Sequence, residues 1–285
     1  MNRICSIVTA LLLHVCTYGQ ASPTYFLSDK PANASMFIKK NGIKKEFVYA
    51  YTLIPNIWKK LIIKDSALTY TCTYDSAGNP LIRQRLVNRP VSNLKDSMVY
   101  NRSGQLMHMY QFSTFRGVQQ KLSINDYSYD SAGNRTSLYC EVFLKDSVYK
   151  SLSRYVFNEK KQLIETYFTE KDSLRLSSNL YYNEKGDLIR RDYFKSDGQI
   201  SNSQFYEYKH KRNRIVQSGS ANGKRRNSQE TEYNDQGQCV LISALYANPV
   251  RVSIFKYYPN GLFFEMEAIE YGHTKELSRH FYETK

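Results

Sequence analysis

The chain has 285 residues, with 40 Lys and Arg against 26 Asp and Glu, a formal net charge of +14. It contains 25 Tyr and 14 Phe but only 13 Gly. Gly would approach one third of a collagen-like chain, and aromatic residues are scarce in disordered ones. The composition therefore excludes a collagen and an acidic disordered tail, and it favours a folded, tyrosine-rich chain.

Residues 1–21 have the pattern of a secretory signal peptide. Arg3 precedes an apolar stretch from Ile4 to Val15, which is shorter than the ~20 residues of a membrane-spanning helix. Gly19 and Ala21 have the spacing of a cleavage site. We expect cleavage after Ala21 and an exported mature chain, located in the periplasm, on the outer surface or outside the cell.

Residues 22–64 contain no complete copy of the repeat that follows. The stretch from Phe37 to Ile43 predicts one more hairpin, and Pro55 interrupts the next run. No amphipathic helix is predicted after the signal. Because terminal units of repeat arrays are usually atypical, we expect this region to cap the array.

A short motif recurs about eight times between residues 65 and 285, with successive anchors 25 to 29 residues apart. Each copy has an aromatic anchor, Asp or Asn, two variable residues, Gly, a polar residue and then an aliphatic one. The predicted turn residues are Tyr74, Asp75, Gly78, Tyr100, Asn101, Gly104, Tyr129, Asp130, Gly133, Tyr182, Asn183, Gly186, Tyr233, Asn234 and Gly237. The other copies begin at Phe157, Tyr208 and Tyr258.

The motif has the chemistry of a bulged hairpin turn. An Asx side chain bonds the backbone two residues on, and Gly takes the positive φ that follows a type I turn. Lys161 and Arg212 replace this Gly in two copies, so we expect those turns to be irregular. Asn260-Gly261 in the last copy predicts a two-residue loop.

A second turn signal, often Lys-Asp-Ser, lies midway between anchors. Two turns per copy leave two strands of about nine residues each. The predicted fold is therefore all-β: an antiparallel hairpin-repeat array of about 16 strands, forming an elongated meander sheet or a β-solenoid, either open or curled.

The motifs Tyr74-Asp75-Ser76-Ala77-Gly78-Asn79 and Tyr129-Asp130-Ser131-Ala132-Gly133-Asn134 resemble the YD repeat of RHS and teneurin-like proteins. The segments 194–198 and 258–262 also look like the MORN-variant repeats of exported bacterial proteins. Both resemblances imply an antiparallel hairpin array and neither implies a particular activity. They also imply a bacterial envelope of the Bacteroidetes type.

Two surfaces are candidate binding sites. The anchor tyrosines either pack over their turns or form a stacking platform for sugars. The stretch 209–226 has basic residues and no acidic ones, and it either contacts a polyanion or forms a solvated face. Its basic residues are Lys209, Lys211, Arg212, Arg214, Lys224, Arg225 and Arg226. The partner is unknown; anionic envelope glycans or lipids, or another protein, are candidates, and export makes nucleic acid unlikely.

No catalytic signature, cofactor motif or metal-ligand spacing is present in the sequence, so we expect no enzyme, no cofactor and no metal. We expect Cys72, Cys140 and Cys239 to be buried free thiols.

The leading hypothesis is a non-enzymatic exported protein that offers a β-sheet binding or scaffolding surface. One alternative is an outer-membrane β-barrel, although the alternation in 163–170 suits lipid on neither face. A second alternative, an RHS-related toxin-handling partner, rests on the resemblance.

Overall fold

The computed structural model describes residues 34–55, 61–86, 93–144, 146–170, 173–209, 214–221, 224–245, 251–270 and 273–284. Helix α1 is Ala34–Lys40. The strands are β1 Ile43–Pro55, β2 Leu61–Tyr74, β3 Pro80–Arg85, β4 Asn93–Tyr100, β5 Leu106–Phe115, β6 Val118–Tyr129, β7 Arg135–Phe143, β8 Val148–Phe157, β9 Leu163–Glu170, β10 Ser173–Tyr182, β11 Leu188–Phe194, β12 Ile200–Lys209, β13 Arg214–Ala221, β14 Lys224–Tyr233, β15 Cys239–Ala244, β16 Arg251–Tyr257, β17 Phe263–Glu270 and β18 His273–Thr284. The predicted signal peptide, 1–21, lies outside the described residues.

The strands form one closed antiparallel barrel. Each strand pairs with the next along the chain, and β1 pairs with both β2 and β18 in an 18-stranded sheet. Closure aligns Ala50 with Ser278 and Val48 with His280. The predicted open meander or solenoid of about 16 strands is therefore wrong. Closure leaves no unpaired edge, which removes the aggregation risk of an open array.

The region expected to cap the array contributes to the barrel wall. Ile43–Pro55 forms β1 at the seam. The predicted hairpin between Phe37 and Ile43 is wrong, because this segment contains the end of α1 and a turn. Gly42 ends the helix with a φ of 62°, and its N–H donates to the Lys39 carbonyl at 3.1 Å. Phe37 and Ile38 pack with Leu262, Tyr74 and Tyr282 at one end of the barrel.

The motif turns share a single geometry. In 130–134 the Asp130 N–H donates to the Asn134 carbonyl at 3.0 Å, the Gly133 N–H donates to the Asp130 carbonyl at 3.0 Å, and Gly133 has a φ of 85°. This is a type I turn with a glycine bulge, and the strand register shifts beside it at Tyr129.

Two expectations about turn irregularity are wrong. Lys161 adopts a φ of 60° and its N–H still donates to the Asn158 carbonyl at 2.9 Å, so this turn keeps the regular geometry. Residues 258–262 also form the five-residue turn, in which the Gly261 N–H donates to Tyr258, rather than a two-residue loop. Arg212 lies outside the described residues.

The two faces of the sheet differ in exposure. In β8, Ser151, Ser153 and Tyr155 are 4%, 7% and 6% exposed, whereas the alternate residues Leu152 and Arg154 are exposed. Side chains crowd on the concave side of a closed sheet, so the buried face is the inner wall. We call the end that carries the motif turns the anchor rim and the opposite end the far rim.

The apolar core is a belt on the inner wall near the anchor rim. It has one residue from each strand between β4 and β13: Met98, Met109, Tyr127, Leu138, Tyr155, Leu163, Leu180, Leu188, Tyr206 and Ile215. Most of the anchor tyrosines pack beside this belt. Sequence alternation places these residues on one face because every second residue of a strand points the same way.

Candidate functional site: the anchor rim and the inner wall

The anchor tyrosines join neighbouring hairpins through their hydroxyl groups. Each hydroxyl donates to the backbone carbonyl of the residue that follows the preceding motif turn. The pairs are Tyr100 to Pro80 at 2.9 Å, Tyr129 to Leu106 at 2.9 Å, Tyr182 to Leu163 at 2.9 Å, Tyr208 to Leu188 at 3.0 Å, Tyr257 to Cys239 at 2.7 Å and Tyr282 to Phe263 at 2.9 Å. In the last motif copy the anchor is thus Tyr257, one residue before the predicted Tyr258.

We call this hydrogen bond between hydroxyl and carbonyl the tyrosine clasp. Three copies of the motif lack it. Phe157 has no hydroxyl, and the Tyr233 hydroxyl is buried and has no hydrogen-bond partner among the described residues. The Tyr74 hydroxyl donates instead to Glu46 at 2.5 Å. These exceptions interrupt an otherwise continuous row, and the hydroxyl groups of the row are used within the wall.

Side chains link each motif turn internally and to its neighbour. The amide of Asn234 donates to Gln238 Oε1 at 2.8 Å, and Gln238 Nε2 donates onward to the Gly261 carbonyl at 2.8 Å. Gln162 reaches the Gly186 carbonyl in the same way at 3.4 Å. The anchor rim is therefore a ring of hydrogen-bonded turns in which the predicted Asx and Gly residues have structural roles.

Two turn carboxylates have shifted pKa values. Hydrogen bonds from the Asn134 side chain and backbone lower the pKa of Asp130 below its usual range. Burial alone would raise the pKa of Asp75, but hydrogen bonds from Asn79 and Ala77 outweigh this and lower it. Both groups therefore belong to the turns as ionised acceptors.

A polar and aromatic patch lies on the inner wall at β11 and β12. We call Arg191, Tyr193 and Gln204 the inner patch. Arg191 and Gln204 are opposite one another in the sheet, and the Arg191 guanidinium lies 4.7 Å from the centre of the Tyr193 ring. The Tyr193 hydroxyl donates to Gln204 Oε1 at 2.9 Å. All three residues are partly exposed, so they are accessible from the lumen.

Hydrogen bonds at Glu46 bridge the barrel seam. Glu46 on β1 is 8% exposed and accepts from the Tyr74 hydroxyl on β2 and from His280 Nδ1 on β18, each at 2.5 Å. One buried carboxylate thus connects the first strand to both of its neighbours. Sequence reasoning did not predict this cluster or the inner patch, because neither lies in the repeated motif.

The closed barrel divides the basic stretch 209–226 between two ends. Lys209 ends β12 and Arg214 begins β13, both at the anchor rim. Lys209 pairs with Glu207 at 3.4 Å, and Arg214 pairs with Glu230. Lys224, Arg225 and Arg226 begin β14 at the far rim. Lys211 and Arg212 lie outside the described residues. The stretch therefore does not form one continuous basic patch along the wall.

The outer wall carries ion pairs, most of them on the half nearer the anchor rim. Glu265 accepts from Lys256 and Arg279, both at 2.7 Å, and Arg190 pairs with Asp192 at 2.7 Å. Farther along the wall Glu141 pairs with Lys150 at 3.3 Å. The side chains of Asp192 and Glu265 are only 1% and 6% exposed, whereas their basic partners Arg190, Lys256 and Arg279 are 42%, 51% and 33% exposed.

Within the described ranges, no cluster of His, Cys, Asp and Glu forms a metal site. In the same part of the chain no helix is long and apolar enough to cross a membrane. Cys72, Cys140 and Cys239 form no disulfide, as predicted; Cys72 and Cys140 are buried, whereas Cys239 is only half-buried.

No protein-family model matches the chain, and no curated protein matches it. Among solved structures the chain is similar to a porin-like protein from Bacteroides uniformis ATCC 8492, with a TM-score of 0.47 and 9% identity over 85% of this chain and 98% of that one. It is also similar to a chain of the TcdB2-TccC3-TEV structure, with a TM-score of 0.28 and 9% identity over 76% of this chain and 16% of that one. The resemblance to YD and MORN-variant repeats therefore rests on the motifs themselves, and these distant likenesses support no functional argument.

Proposed function

We propose that this chain is an exported barrel protein of the cell envelope that acts through its lumen, which holds or passes a hydroxyl-rich or anionic glycan without catalysis. The closure of the ring by the pairing of β1 with β18 is the observation that carries this proposal. Eighteen strands ~4.8 Å apart have a perimeter of about 86 Å, and barrels of this strand number enclose water.

The inner patch supports a glycan as the solute. Arg191 supplies a planar cation for carboxylate or sulfate groups, and Gln204 supplies an amide for sugar hydroxyls. Tyr193 stacks with Arg191 and adds an aromatic face of the kind that packs against sugar rings. In this proposal the inner wall of the barrel binds the solute, whereas the leading hypothesis from the sequence assigned binding to the surface of an open sheet.

Cross-linking tests closure directly. Ala50 and Ser278 are aligned at the seam, so Ala50→Cys/Ser278→Cys in the chain from residue 22, with Cys72, Cys140 and Cys239 replaced by Ser, should form an intramolecular disulfide on mild oxidation. In an open sheet the same residues would be separated by about 80 Å, far beyond disulfide reach. Peptide mapping that finds only reduced or intermolecular products would contradict a closed lumen.

Binding of oligogalacturonate and of a neutral dextran oligosaccharide of equal length, measured by calorimetry, tests the solute. Arg191→Gln should weaken oligogalacturonate binding about tenfold because it removes the cation of the inner patch. Arg154→Gln on the outer wall is the matched control and should bind like the parent chain. Equal losses in both variants, or hydrolysis of either sugar, would contradict the proposal.

The architecture favours the outer membrane as the location. An even number of antiparallel strands in a closed ring is the form of bacterial outer-membrane barrels, and the predicted signal peptide agrees with export. In this setting the chain should fractionate with membranes, resist carbonate extraction and migrate faster on gels when it is not heated.

The outer wall favours a second candidate, the same barrel surrounded by water at the envelope. An Arg or Lys that faces lipid costs about 2–4 kcal/mol at the bilayer midplane and less near the interfaces, and Arg190, Lys256 and Arg279 lie exposed on the outer wall. Release by carbonate, with no heat-dependent mobility, would support this setting over the membrane-spanning one.

A further inference from the structure

The far rim exposes large apolar side chains around the barrel. We propose that the far rim docks on an anionic lipid surface. The residues that we call the aliphatic crown are Leu61 at 40% exposure, Ile62 at 45%, Ile63 at 44%, Val118 at 70%, Leu144 at 41%, Val148 at 47%, Leu174 at 38%, Ile200 at 49% and Leu245 at 37%. This inference concerns the outside of one rim of the barrel surrounded by water, the second setting of the proposed function, and does not depend on what the lumen holds.

The crown recurs from hairpin to hairpin. Its members begin β2, β6, β8, β10 and β12 or lie just after β7 and β15, so all of them lie at the far-rim ends of their strands. A single exposed aliphatic residue is normal on a protein surface, but a contiguous set marks a contact surface. The recurrence of exposed aliphatic residues at seven strand ends of the far rim fits a partner surface that meets several hairpins at once.

The charge at the far rim fits an anionic partner. The last three residues of each strand at this rim, with the described turn residues between them, include 12 Lys and Arg but 6 Asp and Glu. The same count at the anchor rim gives 11 of each kind. The run Lys224, Arg225 and Arg226, three of the seven basic residues of the stretch 209–226, begins β14 at the far rim.

Aliphatic and basic residues together fit a lipid surface better than a glycan. Apolar side chains insert about 5–10 Å into the boundary between headgroups and acyl chains, while Lys and Arg contact lipid phosphates. A glycan would leave Val118 and Ile200 against water. The occupant of the far rim is therefore a membrane leaflet rich in anionic lipid.

Vesicle flotation of the mature chain tests this docking. The chain should float with vesicles of phosphatidylcholine and phosphatidylglycerol and bind about tenfold less to phosphatidylcholine alone. Binding should fall between about 0.1 and about 0.5 M NaCl, because salt screens the basic rim. Val118→Ser/Ile200→Ser should weaken binding to the anionic vesicles about tenfold, because it removes two inserted side chains.

The matched control is Val99→Ser/Ile189→Ser. These residues are 44% and 40% exposed but lie toward the anchor rim, so this variant should bind like the parent chain, and circular dichroism should show that both variants are folded. Absence of binding to anionic vesicles, or equal losses in the two variants, would overturn the proposal. Arg191→Gln should leave flotation unchanged, so a result that contradicts glycan binding in the lumen does not contradict docking of the far rim.

Discussion

The two rims of the barrel are made by the same hairpin repeats but differ in chemistry. At the anchor rim, tyrosine hydroxyls and turn amides join neighbouring hairpins, and 11 basic residues balance 11 acidic ones in the strand ends and described turns. At the far rim nine aliphatic residues are exposed, against four at the strand ends of the anchor rim (Leu81, Ile82, Val99 and Ile189), and 12 basic residues face 6 acidic ones. The polar groups of the anchor rim bond to one another, whereas the far rim has a composition suited to a partner.

The difference shows which part of a repeat is constrained by folding. The motif turn supplies the clasp, the bulge and the amide links, so its residues recur in copy after copy. The far-rim turns need only return the chain to the next strand, as the two-residue turn Arg116-Gly117 does. Their composition is therefore free to serve binding, as loops on a fixed scaffold often do.

The largest contrast should come from glycine at the two rims. Gly261 and Gly198 have φ values of 86° and 81° in turns of the same type. Alanine at Gly198 meets nothing within 4 Å and should cost only the ~1–2 kcal/mol of the left-handed backbone. Alanine at Gly261 would overlap the Phe37 ring and should cost about 1–3 kcal/mol more. Denaturant unfolding measures both values.

A double-mutant cycle identifies the cause of that extra cost. Phe37→Leu combined with Gly261→Ala should lose less stability than the two single losses together, because the smaller side chain leaves room for the new methyl group. If Gly261→Ala and Gly198→Ala are equally destabilised, helix α1 does not pack against the 258–262 turn.

The tyrosine clasp should give the next largest effect. Tyr208→Phe removes the hydroxyl that donates to Leu188 at 3.0 Å and should lower the free energy of unfolding by about 1 kcal/mol. Tyr233→Phe removes a buried hydroxyl without a partner and should be neutral or stabilising. Equal losses in the two variants would mean that the ring, and not its hydroxyl, does the stabilising.

The anchor rim is predictable from sequence because its contacts are local. Asp130 bonds Asn134 four residues away, and Gly133 takes the positive φ that its residue type favours. Lys161 shows the limit of such reasoning. The strand pairing on both sides fixes the turn, so a residue with an unfavourable left-handed backbone keeps the regular geometry.

Closure and the inner patch are not predictable in this way. Val48 and His280 are aligned at the seam although they lie at opposite ends of the sequence, and no repeat spacing records their pairing. Register shifts next to the motif turns also change which residues share a face, so Arg191 and Gln204 meet only once the register is known. Helix α1 has seven residues, too few for a periodic pattern.

The smallest predicted effect is the acid sensitivity of the anchor-rim turns. Turn hydrogen bonds lower the pKa of Asp130 and Asp75 in the folded barrel. A group whose pKa is lower when folded stabilises the fold above its unfolded pKa of about 3.9, and this contribution is lost as the pH falls through the folded pKa.

Asp75→Asn/Asp130→Asn keeps the side-chain acceptor that Asn101 and Asn183 use in the same turn position. The variant should therefore lose less stability than the parent chain below about pH 4, whereas Glu159→Gln, an exposed acid of the same rim, should follow the parent. Denaturant midpoints across the acid range measure this, and identical slopes for the parent and the double variant would show that these carboxylates do not stabilise the anchor rim.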